Sequence, residues 1–274
     1  MLRSRDECAA LIAEVLRARG DDLRAQFAAS GPIRHVVIDD FLGAEIAAGL
    51  YAAVPPLDRL VHHVSLRERK YIGVQMNEVS RELEEAVFAF QHPAVVARVR
   101  EITGIDDLRP DPNLYAGGIS VMSKGGYLNP HIDNSHDKDR ALWRVLNLLY
   151  YVTPDWSEAA GGSLELWPRG VKKTPLTIPA RCDRLVIMET HQTSWHSVSP
   201  ITADGRRCCV SNYYFSPQPV RADDRFHITF FRGRPERPLW DAALLADGYL
   251  RTGIRKLFKH GIRENPHVYK RADS

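Results

Sequence analysis

Two histidines and one aspartate of this chain are spaced as the ligands of a single metal ion would be. His131 and Asp133 lie two residues apart in a segment, 127–133, that has the composition of a β-strand. Because successive side chains of a strand point to opposite faces, these two residues share one face. His196 follows in a separate strand-like segment. The spacing therefore predicts a metal site formed by His131, Asp133 and His196.

The predicted ligands indicate which chemistry the metal would serve. Two imidazoles and one carboxylate on one side of an ion leave the opposite coordination positions open, an arrangement that non-haem Fe(II) oxygenases use. Arg207 follows His196 within a short hairpin, and its planar guanidinium is suited to holding a carboxylate through two hydrogen bonds. A buried arginine needs an anionic partner. These residues therefore favour an iron-dependent oxygenase over a β-sheet protein that merely buries its histidines.

Strand parity assigns further side chains to the same cavity. Arg207 and Ser211 share one face of their strand, and Asn147 and Tyr151 share one face of the strand expected opposite. Arg206 is a second candidate for binding a carboxylate. The glycine-x-arginine order and the parity both favour Arg207.

The elements that must position these residues are short strands separated by glycine and proline. This pattern predicts a mainly β protein with flanking helices (α+β), whose core over 111–220 is a jelly-roll or cupin-like double-stranded β-helix. The predicted strands cover 113–122, 127–133, 143–152, 162–167, 174–178, 184–189, 194–199 and 207–215.

Helical periodicity dominates the rest of the chain. Residues 1–110 are expected to form a mostly helical support with one or more strands, and 221–274 an edge strand with closing helices, so that 1–274 is one catalytic domain. Asp21 or Asp22 is expected to cap the second helix. The predicted helices cover 6–28 with a break at Gly20, 43–53, 80–91, 93–103, 239–252 and 254–260; the additional strands cover 35–42 and 226–232.

Composition excludes several functional classes. Of 274 residues, 44% are hydrophobic and 26% charged, and the formal net charge of +3 is too small to indicate a nucleic-acid partner. No apolar run reaches the roughly 18 residues that a membrane span needs. The four cysteines include no CxxC pair, which predicts free thiols and a cytoplasmic location.

Several runs carry a resemblance to a known family. Residues 144–156, 161–166 and 183–185, together with His196 and the two residues after it, resemble the prolyl-4-hydroxylase-like branch of the Fe(II)/2-oxoglutarate-dependent dioxygenases. The similarity covers roughly residues 113–216. It implies that His131, Asp133 and His196 bind Fe(II) and are the catalytic residues. It also implies that Arg207 binds the distal carboxylate of 2-oxoglutarate, with hydroxyl groups supplied by Tyr151 and Ser211.

The resemblance also implies a reaction. Fe(II), 2-oxoglutarate and O2, with ascorbate as an auxiliary reductant, would hydroxylate an unactivated C–H bond and release succinate and CO2. Small molecules, amino acids and peptidyl residues all fit as substrates. Desaturation or cyclisation at the same iron, a zinc hydrolase and a non-catalytic cupin-like metal-binding protein are the alternatives. Asp133 argues against a halogenase, because in those enzymes halide takes the place of the carboxylate.

One departure from the family leaves a contact open. A tyrosine expected some ten residues before His131 is missing, since that region reads Ile-Ser-Val-Met. Lys124, Asn129 or Asn147 are the candidates to replace it on the C1 side of 2-oxoglutarate.

Residues 57–79 lack a clear period and combine charge with apolar positions. Long irregular segments in compact domains are often functional. We therefore expect this segment to cover the metal site as a lid and to supply substrate contacts, with Arg67, Arg69, Lys70 and Tyr71 as candidates.

Overall fold

The structure, a computed structural model, describes residues 4–115, 117–257 and 268–270. Within these ranges its centre is an antiparallel β-sheet of 13 strands. The strands are β1 (His35–Ile38), β2 (Val61–Val64), β3 (Glu68–Gly73), β4 (Arg109–Pro110), β5 (Gly118–Met122), β6 (Tyr127–Ile132), β7 (Trp143–Tyr151), β8 (Leu164–Leu166), β9 (Leu176–Ile178), β10 (Arg184–Glu189), β11 (His196–Val198), β12 (Arg207–Ser216) and β13 (Phe230–Phe231).

The sheet is curled so that its two halves face each other. One half has the order β1-β10-β7-β12-β5, and the other has the order β6-β11-β8-β9. Strand β3 joins them, because it pairs with β5 along part of its length and with β6 along another part. The predicted class, a double-stranded β-helix with flanking helices, is confirmed.

Strand β10 shows how the sequence builds both faces of the larger half. All six of its residues are buried. Leu185 and Ile187 belong to the cluster that packs the sheet against the helices, whereas Val186 and Met188 pack against residues of β8 inside the fold. A strand that is buried on both faces reads as a continuous apolar run. This run therefore holds the larger half between the helical layer and the interior.

The helices follow the predicted pattern, except that the short helix Met76–Val79 was not predicted and that two further points differ. The N-cap of α2 is Arg19, which makes no side-chain capping bond, so the expectation that Asp21 or Asp22 caps it was wrong; both acids lie in its first turn. The two predicted C-terminal helices are one, because Gly253 is accommodated inside it at a cost of about 1 kcal/mol. Residues 258–260 of that prediction lie outside the described residues. The helices are α1 (Arg5–Ala18), α2 (Gly20–Ala29), α3 (Ala44–Ala52), α4 (Met76–Val79), α5 (Arg81–Ala89), α6 (Pro93–Thr103) and α7 (Pro238–Leu257).

Of the conformations that its sequence left open, the segment 57–79 adopts two strands, β2 and β3. Strands β2 and β3 form an antiparallel hairpin, and β3 is a member of the main sheet. The alternation was hidden because charged residues lie on both faces of β3. The hairpin therefore lines the cavity as two paired strands. No helix in the described ranges is long and apolar enough to cross a membrane.

Candidate metal centre

Three side chains from neighbouring strands converge at one end of the curled sheet. His131 lies near the end of β6, Asp133 directly follows that strand, and His196 opens β11. His196 is the cross-strand partner of His131. One ligand atom from each of the three side chains lies within 4.8 Å of the others. The structure thus brings together the three residues that spacing predicted as one site.

Hydrogen bonds fix which imidazole nitrogens face the centre. The Nδ1 of His131 lies 3.0 Å from the carbonyl oxygen of Asn129, and the Nδ1 of His196 lies 2.9 Å from that of Ser194. A proton on each Nδ1 donates to these carbonyls, which leaves the Nε2 lone pairs free to bind metal. Burial, reinforced by the neighbouring His131, lowers the pKa of His196 to about 4. His196 is therefore neutral near pH 7, as a ligand must be.

Asp133 provides the negative charge. Burial would raise its pKa, but His131, His196 and Arg144 outweigh that effect and hold the pKa well below its usual value. Its Oδ1 lies 3.5 Å from the Nε2 of His131, and its Oδ2 lies 3.7 Å from the Nε2 of His196. Two imidazoles and a carboxylate, with open space on the far side, fit Fe(II).

Arg207 is a buried cation without an anionic partner among the described residues. Its Nε donates to the carbonyl oxygen of Gly162 at 3.1 Å, and its guanidinium lies 4.6 Å from the ring centroid of Tyr151. The buried Tyr151 hydroxyl also lacks a hydrogen-bond partner among the residues that the structure describes. Burial raises the pKa of Tyr151, so the hydroxyl remains a donor. A carboxylate bound here would satisfy both groups.

Arg206 points away from this cavity. Its Nη1 donates to the carbonyl oxygen of Pro55 at 2.9 Å, and its guanidinium lies 5.3 Å from the ring centroid of Tyr51. Of the two adjacent arginines, Arg207 alone lines the cavity. Strand parity had favoured Arg207 over Arg206 for the cavity, and the positions of the two side chains agree with this.

A cavity of about 280 Å³ connects the metal centre to the surface. Among the predicted substrate residues, Arg67 and Lys70 line it, but Arg69 and Tyr71 do not, which corrects that set. Tyr71 lies on the other face of β3, where it stacks on His62 with ring centroids 4.1 Å apart. The predicted cofactor contacts Ser211, Asn147 and Tyr151 also line the cavity.

Sequence reasoning missed Glu68 on the cavity wall. Burial would raise its pKa, but Lys70, whose Nζ lies 2.8 Å from its Oε2, and His63 hold the pKa well below its usual value. Glu68 and Lys70 therefore form a charged pair inside the cavity. The only sequence signal was that positions 68 and 70 share parity with each other.

Residues 117–215 match the family model of the 2OG-Fe(II) oxygenase superfamily. This span, which is less than half of the chain, is similar to that superfamily. It contains the metal triad, Arg207 and Tyr151, so the match covers the site whose geometry is described above. The predicted resemblance to Fe(II)/2-oxoglutarate-dependent dioxygenases is confirmed for this span. Fe(II) and 2-oxoglutarate are the metal and cosubstrate that this superfamily implies.

The individual proteins to which this chain is similar include prolyl hydroxylases. The prolyl 3-hydroxylase OGFOD1 of Xenopus laevis is 32% identical over 84 residues, which is 29% of this chain and 16% of that protein. A Pseudomonas putida prolyl-4-hydroxylase has a TM-score of 0.53 at 16% identity, covering 73% of this chain and 98% of its own. A Trichoplax adhaerens prolyl hydroxylase in complex with a hypoxia inducible factor peptide has a TM-score of 0.52 at 19% identity, covering 74% and 91%. At these identities the two structures show a shared fold.

Two adjacent glycines allow a close approach of the backbone to Arg207, for a steric reason. Gly161 and Gly162 both have positive φ, and a Cβ on Gly162 would lie 3.2 Å from the Cγ of Arg207. A Cβ on Gly161 would lie 2.0 Å from the carbonyl oxygen of Pro200. The pair therefore lets the backbone approach Arg207 closely enough to accept its Nε hydrogen bond.

Two side chains of β7 orient Asp133. The Nδ2 of Asn147 donates to the Oδ2 of Asp133 at 2.7 Å, and the Nη1 of Arg144 lies 3.6 Å from the same oxygen. Asn147 was predicted to contact the cosubstrate, but its amide nitrogen is occupied by Asp133. Its buried Oδ1, which has no partner within the described residues, remains available. The Oδ1 of Asp133 takes part in neither of these contacts and faces His131.

The other two candidates for the C1 side of 2-oxoglutarate lie outside the cavity. Lys124 is exposed and pairs with Asp204 at 3.3 Å, and the Nδ2 of Asn129 donates to the carbonyl oxygen of Leu66 at 2.9 Å. Neither lines the cavity, so both are wrong. Ser120 and Met122 of β5 line it instead.

Asn147→Ala is expected to weaken metal binding by about 10- to 100-fold, the usual effect of removing a partner of a metal ligand. Without the amide, the Asp133 carboxylate is free to rotate away from the centre. The measurement is the Fe(II) dissociation constant under anaerobic conditions. Asn77→Ala, in the exposed helix α4, is the matched control. Equal affinities for all three proteins would remove Asn147 from this role.

Proposed function

We propose that the protein is an Fe(II)/2-oxoglutarate-dependent oxygenase that hydroxylates an unactivated C–H bond and releases succinate and CO2. One observation carries the proposal. A two-histidine, one-carboxylate site and a buried arginine without a partner among the described residues open into the same cavity. Such an arginine is costly unless a ligand supplies its anion. A dicarboxylate bound to the metal at one end would reach it with the other.

The side chains have separate tasks in this proposal. His131, Asp133 and His196 hold the metal, and Arg207 and Tyr151 bind the distal carboxylate of 2-oxoglutarate. Ser211 and the amide oxygen of Asn147 complete the cosubstrate site. When bound, the iron supplies the O2 chemistry that produces succinate and CO2 and functionalises the substrate. The protein excludes water and positions one C–H bond, which is why these residues are buried.

The alternatives explain fewer of the contacts. A zinc hydrolase would need the triad but has no use for Arg207 beside Tyr151. A non-catalytic cupin-like protein would not need an open cavity from the metal to the surface. Asp133 occupies the ligand position that a halide would require. Desaturation and cyclisation use the same contacts, and the mass of the product distinguishes them from hydroxylation.

The proposal extends to the domain organisation, the substrate class, the location and the reductant. We propose that residues 1–274 form one catalytic domain acting on a small molecule, amino acid or peptidyl residue. Arg67 and Lys70 face that substrate from the hairpin of β2 and β3. Cys208 and Cys209 are free thiols, which supports a cytoplasmic location. Ascorbate is the proposed auxiliary reductant.

The test is succinate release by the full chain with Fe(II), 2-oxoglutarate and O2, screened against amino acids, peptides and small metabolites. We expect succinate in equal amount to a product heavier by one oxygen atom. Zinc-loaded protein is the control and should release none. Hydrolysis without succinate formation would refute the proposal.

A further inference from the structure

The mouth of the cavity is closed on one side by the hairpin of β2 and β3 and on the other by α7. Arg67, at the hairpin, donates from Nε and Nη2 to the carboxylate of Asp247 on α7, at 2.8 and 2.5 Å. Arg251, one turn further along α7, donates to the same carboxylate at 3.0 Å. Both arginines line the cavity. Two cations at the mouth therefore share one anion.

The other charges of the cavity have partners of their own. Lys70 pairs with Glu68, and Arg144 lies beside Asp133. Arg207 would be neutralised by the distal carboxylate of 2-oxoglutarate. The other carboxylate of 2-oxoglutarate would offset part of the Fe(II) charge, so the inner cavity holds no excess negative charge that could neutralise the mouth. Positive charge in excess therefore remains at the mouth, where Arg67 and Arg251 lie.

These two arginines are also short of acceptors. Arg67 and Arg251 each use Nε and Nη2, the Nη2 of Arg251 donating to the carbonyl oxygen of Thr229 at 2.9 Å. Neither Nη1 has a hydrogen-bond acceptor within the described ranges. Burial, and after it the nearby charge of Arg67, lowers the pKa of Arg251. An anion placed between the two guanidiniums would satisfy these donors and relieve their repulsion.

We propose that the substrate carries an anionic oxygen group, a carboxylate or a phosphate, that Arg67 and Arg251 bind at the mouth while the reacting carbon lies at the metal. This inference rests on the proposed function and narrows its substrate class. Guanidinium groups bind both anions through paired N–H donors. A cleft lined by excess positive charge also raises the local concentration of anionic substrates.

The first test looks for the anion directly. Crystals of the full chain, loaded with Mn(II) and 2-oxoglutarate, are soaked in selenate, and selenium is located by anomalous scattering. We expect a peak between Arg67 and Arg251 that is lost in both Arg67→Gln and Arg251→Gln. Absence of the peak, or a peak unchanged in the variants, would overturn the inference.

The second test compares pairs of compounds that differ in one group: a carboxylic acid with its primary amide, and a phosphate ester with its alcohol. The anionic member is expected to be preferred in kcat/KM. Loss of a hydrogen bond to a charged group should reduce that value by about 10- to 100-fold in each variant. The two kinds of pair show which anion is used. Turnover of neutral members equal to that of the acids would contradict the inference.

Arg69→Gln is the matched control, because Arg69 lies two residues from Arg67 on the same hairpin, is exposed and does not line the cavity; it should change neither result. Failure of the proposed function would give a different experimental result from failure of this inference. The charge-transfer absorption of Fe(II) chelated by 2-oxoglutarate reports cosubstrate binding independently of substrate. If that absorption is missing, the oxygenase proposal fails; if it is present without anion preference, this inference alone fails.

Discussion

His131→Ala is expected to abolish Fe(II) binding and 2-oxoglutarate turnover together. The imidazole supplies one of three ligands, and its Nδ1 contact to Asn129 fixes the Nε2 lone pair toward the centre. Two ligands cannot hold the ion in a fixed geometry, so the chelating cosubstrate loses its anchor. The measurements are Fe(II) content after dialysis and succinate release, in the same preparation.

The control for this prediction is His62→Ala. His62 is exposed and stacks on Tyr71, on the face of the hairpin that points away from the cavity. It should retain iron and turnover. Stoichiometric iron in His131→Ala, with the fold intact by circular dichroism, would show that the metal binds elsewhere.

The His131–Asp133 pair was predictable from a local rule, whereas His196 joins it through the pairing of two strands that are distant in sequence. The period of two in a strand places His131 and Asp133 on one face, and pairing of neighbouring strands brings in His196. The same parity separated Arg207 from Arg206. In β10, which is buried on both faces, the continuous apolar run between Arg184 and Glu189 gives the correct boundaries.

Arg144 could not be found in this way, because β7 contains a bulge. Its pairing with β12 shifts register so that Tyr214 faces Leu146 and Phe215 faces Arg144. The extra residue reverses the alternation beyond it, and Arg144 joins the face of Asn147. A bulge depends on the partner strand, so nothing in the local sequence indicated it.

The part of the mouth that α7 supplies was missed for a different reason. Arg67 and Arg251 meet on Asp247 across a large separation in sequence, and ion pairs between distant segments have no local pattern. The hairpin itself looked irregular because Arg69 and Lys70 are both charged although they point to opposite faces. Long side chains extend their charged ends into water or across a cavity, which weakens the alternation that marks a strand.

Arg207→Ala is expected to raise the KM for 2-oxoglutarate by about 10²- to 10³-fold. Removing one partner of a buried ion pair costs about 3–5 kcal/mol, and about 1.4 kcal/mol corresponds to a factor of ten. Arg207 is 3% exposed, so water cannot replace its guanidinium. The KM is measured from succinate release at varied 2-oxoglutarate.

Two further variants make this prediction specific. Arg206→Ala, one residue earlier but directed at Pro55, should leave the KM for 2-oxoglutarate nearly unchanged. Arg207→Lys should fall between wild type and Arg207→Ala, because an ammonium keeps the charge but loses the planar pair of donors. Similar KM values for Arg206→Ala and Arg207→Ala would mean that the distal carboxylate binds elsewhere. A Lys variant as weak as the Ala variant would instead show that the two-donor geometry, and not the charge, holds the carboxylate.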